Sequence, residues 1–194
     1  MLLIRKKIIV ILLLLFTLFS CSLFETREPE NPEGDATIFI PPTTPNIVIE
    51  NFLEAFNKKS IENYYACFSR YNFDFSPTNE VLVRYSSIFQ EWNINSERQY
   101  FLSLTTNLQN EAKPNLIFTD AEFVSLSNDS AVFVANYFIN CIFLDINISS
   151  KYTGRINLTI KNEKNGEWAI TNWKDFRNND TNNTWSYLKA LFSN

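Results

Sequence analysis

Apolar positions recur at helical spacing over residues 46–58. Val48, Phe52, Ala55 and Phe56 form a stripe that leaves Glu50 and Glu54 outside it. Ser60 is placed to cap a second, short helix carrying Ile61, Tyr64, Tyr65 and Phe68. Phe73-Asp74-Phe75 alternates and predicts a short strand. Ser76-Pro77 then offers a cap and a first helical position, and Val81, Tyr85, Ile88, Phe89 and Trp92 continue one stripe. Ser96-Glu97-Arg98-Gln99 reads as a capping box that opens another helix, with Phe101, Leu104 and Leu108 on one side.

From Asn115 the helical period gives way to the alternation of a strand. Residues 116–125 predict one strand and residues 131–148 a long one. Ala131, Phe133, Ala135, Tyr137, Ile139, Cys141 and Phe143 make one face of the long strand. The other face holds Val132, Val134, Phe138, Ile142 and Leu144, so both faces are expected to be covered. Asn136 and Asn140 interrupt that second face, either as ligand contacts or as residues that satisfy a bulge or meet water. Residues 151–161 alternate cleanly, and Asn165-Gly166 is a hairpin turn into residues 167–175. Residues 184–192 predict a last helix, with Trp185, Leu188, Leu191 and Phe192 apolar. Helices gathered first and antiparallel strands after them argue an α+β fold, with the N-terminal helices packed in a strongly curved antiparallel sheet.

The start of the chain has a different pattern. Arg5, Lys6 and Lys7 precede an apolar run of about twelve residues, too short for the roughly 20 that span a bilayer. Leu18-Phe19-Ser20-Cys21 follows and resembles the lipobox of bacterial lipoproteins. The resemblance implies that residues 1–20 are a signal peptide and that Cys21 becomes the lipidated N-terminus, holding the protein on a membrane. Multiple acyl chains anchor stably where one does not. Ser22 rather than Asp follows the cysteine, which by analogy favours the outer membrane of a diderm bacterium. Residues 21–45 then form an acidic tether with five prolines, too polar to build a core and expected to be flexible. Within it Thr37-Ile38-Phe39-Ile40 is an apolar island that either docks as an edge strand or does nothing. Residues 46–194 form the single domain.

Charge and composition remove several function classes. Losing residues 1–20 costs three cations, so the net charge goes from −4 to −7. An acidic domain is repelled by nucleic-acid phosphates, and nucleic acid is not expected as a partner. Histidine is absent, which removes the usual neutral-pH base, the commonest metal ligand and any Ser-His triad. Three glycines cannot build a phosphate-cradling loop. No metal or cofactor is expected. Cys67 and Cys141 stand in a predicted helix and a predicted strand, either bridged or separately buried.

The two-helix opening Asn51-Phe52-Leu53-Glu54-Ala55-Phe56-Asn57-Lys58-Lys59-Ser60 through Tyr65-Ala66-Cys67-Phe68, the short strand Phe73-Asp74-Phe75 and the segment Trp168-x-Ile170-x-x-Trp173-x-Asp175 together resemble the nuclear transport factor 2-like superfamily, with its SnoaL-type and ketosteroid-isomerase members. The resemblance covers residues 46–192. It implies a cone-shaped, cystatin-like fold with a cavity at the open end. Enzymes of the superfamily use a buried Asp or a His-Asp pair. Here a carboxylate base is to be sought among Asp74, Asp120, Asp145 and Asp175.

Tyr64, Tyr100, Tyr137 and Trp173 join apolar bodies to polar tips and could line a cavity for a small apolar ligand. The other reading, and the favoured one, is that they are core aromatics whose polar atoms reach backbone or water. Asp175 reads as a ligand contact or general base, or as a residue that caps the next turn or pairs with Lys174 or Arg177. No residue is assigned a catalytic role. The leading expectation is a membrane-anchored, non-catalytic module that binds a small molecule or an envelope protein. The alternatives are an isomerase- or cyclase-type enzyme with a buried carboxylate, and a structural homodimer joined through the long strand.

Overall fold

The computed structural model describes residues 38–178 and 183–193. The expected signal segment, Cys21 and the expected tether up to residue 37 lie outside them. Thr44 caps α1 (Pro45–Asn57) by accepting from the Ile47 N–H, and Pro45 takes the first helical position. The face carrying Val48, Phe52, Ala55 and Phe56 is buried, as its spacing predicts. Asn51 is buried on the same helix because its amide closes on the backbone of Ile40, donating to the carbonyl at 2.7 Å and accepting from the N–H at 3.2 Å. That pairing docks the island at residues 38–40 without making it a strand.

After α2 (Ile61–Ala66) comes β1 (Asp74–Ser76), which runs parallel to the last strand. Ser76-Pro77 does not start the next helix. Ser76 ends β1, and Thr78 precedes α3 (Asn79–Arg84). The expected continuous helix to Trp92 is broken at Tyr85, which has φ −127° and ψ 37°, and resumes as α4 (Ser86–Phe89). The Tyr85 ring lies 6.2 Å from that of Tyr187 near the C-terminus. The capping box also moves. Helix α5 (Ile94–Thr106) is capped by Asn93, whose side chain accepts from Asn95 and Ser96 while Ser96 reaches back to the Asn93 N–H. Glu97 is thereby freed from capping, and it is fully buried.

Four strands follow: β2 (Asn115–Leu126), β3 (Ser130–Asn140), β4 (Lys151–Asn162) and β5 (Trp168–Phe176). The sheet order is β1-β5-β4-β3-β2, antiparallel except for β1 against β5. Register shifts between Thr119 and Glu122, between Phe123 and Ser125, and between Thr159 and Ile160 mark bulges, which bend a sheet and strengthen its twist. The curved sheet closes around the helices. Asn136 answers one bulge directly, donating to Asp120 at 2.8 Å where that residue takes φ 48°.

The long strand stops eight residues early. Its inward face through Phe143 is buried, but beyond Asn140 the chain leaves β4 and pairs with the segment after α5. Gln109 donates to the Ile142 carbonyl at 2.8 Å and Leu144 to the Asn107 carbonyl at 2.9 Å. The second face is only half covered. Val134 is buried, Phe138 is intermediate, and Ile142 and Leu144 are exposed. Cys67 and Cys141 are both buried free thiols, so the bridged alternative falls. Helix α6 (Trp185–Leu191) completes the domain, with the Thr184 hydroxyl accepting from the Tyr187 N–H.

Candidate functional site

The chemistry of this domain is concentrated where α6 enters the concave side of the sheet. Four of its residues, Trp185, Ser186, Leu188 and Lys189, are fully buried. The Trp185 ring meets Trp173 of β5 edge-on at 4.6 Å and lies 5.2 Å from Tyr137 of β3. It is also within 5.9 Å of Phe52 and 5.4 Å of Phe56 on α1. An indole thus stands at the centre of the cone, in contact with both the sheet and the first helix.

The four aromatic candidates converge on this centre, and the protein itself occupies the polar tips of three. Tyr64 donates to Glu97 Oε1 at 2.7 Å. Tyr100 accepts from Trp185 Nε1 at 2.9 Å. Tyr137 donates to Asp175 Oδ1 at 2.9 Å and accepts from the Trp185 N–H at 2.6 Å. Gly154 lies directly across from Tyr137 in the ladder, and a Cβ there would collide with the tyrosine hydroxyl. Trp173 Nε1 is buried and has no hydrogen-bond partner among the described residues. The face of Trp173 is engaged by the Lys189 ammonium, 3.8 Å from its centroid.

Lys189 and Glu97 form a buried ion pair. The carboxylate also accepts from Trp92 Nε1 at 2.9 Å. Burial pulls the Lys189 amine down to about 8, against the opposing pull of Glu97. Neither residue stands out by motif. Each does stand out by position. Glu97 precedes Phe101, Leu104 and Leu108 by four, seven and eleven, and Lys189 follows Trp185 by four, so each charge lies on its helix's apolar stripe. Opposite charges on two apolar stripes are the signal that finds the pair.

Of the four candidate carboxylates, Asp74, Asp120 and Asp145 are exposed and only Asp175 is buried. Asp175 faces inward from β5, beside Trp173 by two residues, as the alternation requires. Its Oδ2 accepts from the Ser186 N–H at 2.7 Å and from the Ser186 hydroxyl at 2.5 Å. Ser186 in turn accepts from the Thr78 N–H at 2.9 Å. Asp175 therefore ties β5 to the first turn of α6, a capping role performed from across the sheet. Burial pushes its carboxyl up to about 6, with the Ser186 and Tyr137 hydrogen bonds and Lys189 pulling the other way.

A raised folded-state value fixes the sign of the pH dependence. Below the ordinary 3.8 the Asp175 contribution to stability is complete, and it is lost as pH rises through about 6. The loss is about 3 kcal/mol at roughly 1.4 kcal/mol per unit. Asp175→Asn should flatten this part of the profile. Urea midpoints of the two proteins measured across that window check it, and parallel curves would refute the assignment.

Among the described residues no three acidic or cysteine side chains gather to hold a metal ion. No family model and no curated protein matches the sequence. Solved structures do match the fold. A candidate aromatic ring hydroxylase from Novosphingobium aromaticivorans superposes with a TM-score of 0.54 at 13% identity, over 74% of this chain and 92% of that one. A nuclear transport factor 2-like protein of unknown function in nutrient uptake from Rhodospirillum rubrum gives 0.53 at 10% identity, over 69% and 98%. One from Cytophaga hutchinsonii gives 0.50 at 11%, over 68% and 93%. The chain has the nuclear transport factor 2-like fold, a curved five-stranded sheet wrapped on helices.

Proposed function

We propose that this protein is a lipid-anchored envelope protein whose domain is a non-catalytic binding module working through its outer surface. One observation carries the second half of the reading: the interior of the cone is occupied by the chain's own α6. Trp185 sits among Phe52, Phe56, Tyr137 and Trp173, and the hydroxyls of Tyr64, Tyr100 and Tyr137 are bonded to protein groups. A ligand entering there would have to displace an indole and break these hydrogen bonds. Asp175 has the raised value expected of a buried base, yet Tyr137 and Ser186 take both its oxygens, so a substrate would first have to remove α6. The anchor half rests on the lipobox-like Leu18-Phe19-Ser20-Cys21, with Ser22 favouring the outer membrane.

Native mass spectrometry of the full chain, extracted from membranes in mild detergent, tests both halves. The expected mass is that of a chain processed at Cys21 and carrying acyl groups, with no small molecule lost on denaturation. Cys21→Ala should remove the acyl mass and release the protein from the membrane fraction. A co-purifying apolar molecule would defeat the outer-surface reading, and an unacylated wild type would defeat the anchor.

A further inference from the structure

An open depression of about 880 Å³ lies outside the cone, between the loop after α2 and the β4–β5 hairpin. Its frame is pinned. Ser69 donates its N–H to the Ile170 carbonyl at 2.9 Å and its hydroxyl to Glu163 at 2.5 Å. The same hydroxyl accepts from the N–H groups of Tyr71 and Asn72. Asn172 donates to Asp74 at 2.9 Å across the β1–β5 pair. A loop held at so many points displays its tip residue in a defined place. That residue is Tyr71, whose side chain is left in water at 86% exposure.

Two carboxylates line the groove, Asp74 and Glu163, and each accepts from a protein donor, so the polar groups left without a partner are carboxamides and ammonium groups. The side chains of Asn72 and Asn162 make no hydrogen bond among the described residues, and Lys161 and Lys164 make no ion pair there. Flat aromatic faces stack on the C–H face of a pyranose ring, and carboxamides donate to and accept from its hydroxyls together. Ammonium groups recognise a carboxylate. An extended peptide draws on a long free strand edge or on apolar pockets, and here the edge strand β1 has three residues.

We propose that this groove binds an acidic oligosaccharide, with Tyr71 as the stacking platform, Asn72 and Asn162 reading hydroxyls, and Lys161 and Lys164 taking the uronate carboxylates. The proposal rests on the outer-surface reading and gives it a ligand class. Two probes test it on the full chain in detergent: tetragalacturonate and the neutral cellotetraose, observed by saturation-transfer difference NMR. The acidic chain should show transfer to its ring protons and the neutral chain much less. Tyr71→Ala should weaken binding about tenfold, and Lys161→Ala with Lys164→Ala should remove the preference for the acidic chain. No transfer from tetragalacturonate, or transfer indifferent to Tyr71→Ala, overturns the proposal. Either result leaves the outer-surface reading standing, since that reading fails only on a small molecule held in the interior.

Discussion

Lys189→Met will destabilise the domain by about 3–5 kcal/mol, because it removes one member of a buried ion pair and leaves the other without its counter-charge. The Glu97 carboxylate would keep only Tyr64 and Trp92 as donors, in a site that water does not reach. The amine also lies 4.0 Å over Phe75 and 3.8 Å over Trp173, and methionine keeps that packing while deleting the charge. The double change Glu97→Gln with Lys189→Met should therefore recover most of the loss. Buried pairs replaced together by neutral groups of similar volume are often neutral in stability. Urea denaturation of the four proteins gives the cycle directly. A single-variant loss under about 1 kcal/mol, the scale of exposed pairs, would mean that the site is solvated and that α6 does not seal the cone.

This pair also marks where sequence reading stops. The helix α1 stripe, the β4 alternation and the Asn-Gly hairpin are legible because each depends on local periodicity or one turn's chemistry. All core-facing residues of β4, from Tyr152 to Ile160, are buried as the pattern requires. The failures are positions where a distant contact overrides a local one. Ser96-Glu97 has the form of a capping box, but Asn93 takes the cap, and Glu97 turns to a lysine 92 residues away. Ser76-Pro77 has the form of a helix start, but pairing with β5 claims Ser76 first. The inward alternation of β3 truly continues to Phe143, while the strand itself ends at Asn140 because the backbone changes partner. For the site, burial of Tyr64 and Tyr137 follows from the stripes they lie on, and Tyr100 and Trp173 join them in the core. What fills the space between them does not follow, since no local rule says that the last helix turns back into the cone.

Trp185→Ala tests that filling. Truncating a fully buried tryptophan costs about 3–5 kcal/mol, from lost transfer energy and from the cavity left behind. The hydrogen bond from its indole to Tyr100 goes with it. The hole would be walled by Phe52, Phe56, Tyr137 and Trp173, and an apolar cavity of this kind stays dry and takes up small aromatic molecules. Indole should then bind the variant and restore part of its stability. At a hundredfold excess over its dissociation constant the gain is about 2.7 kcal/mol, enough to be plain in a thermal melt. Wild type should show no shift, because its own indole already holds the place. The asymmetry is the point of the experiment. One side chain is enough to fill the concave side of the sheet, and opening a cavity by a single truncation would show that the filling lies in Trp185 rather than in the curvature of the sheet. Equal stabilisation of wild type by indole would instead mean that α6 opens in solution, and the interior would return as the place to look for a ligand.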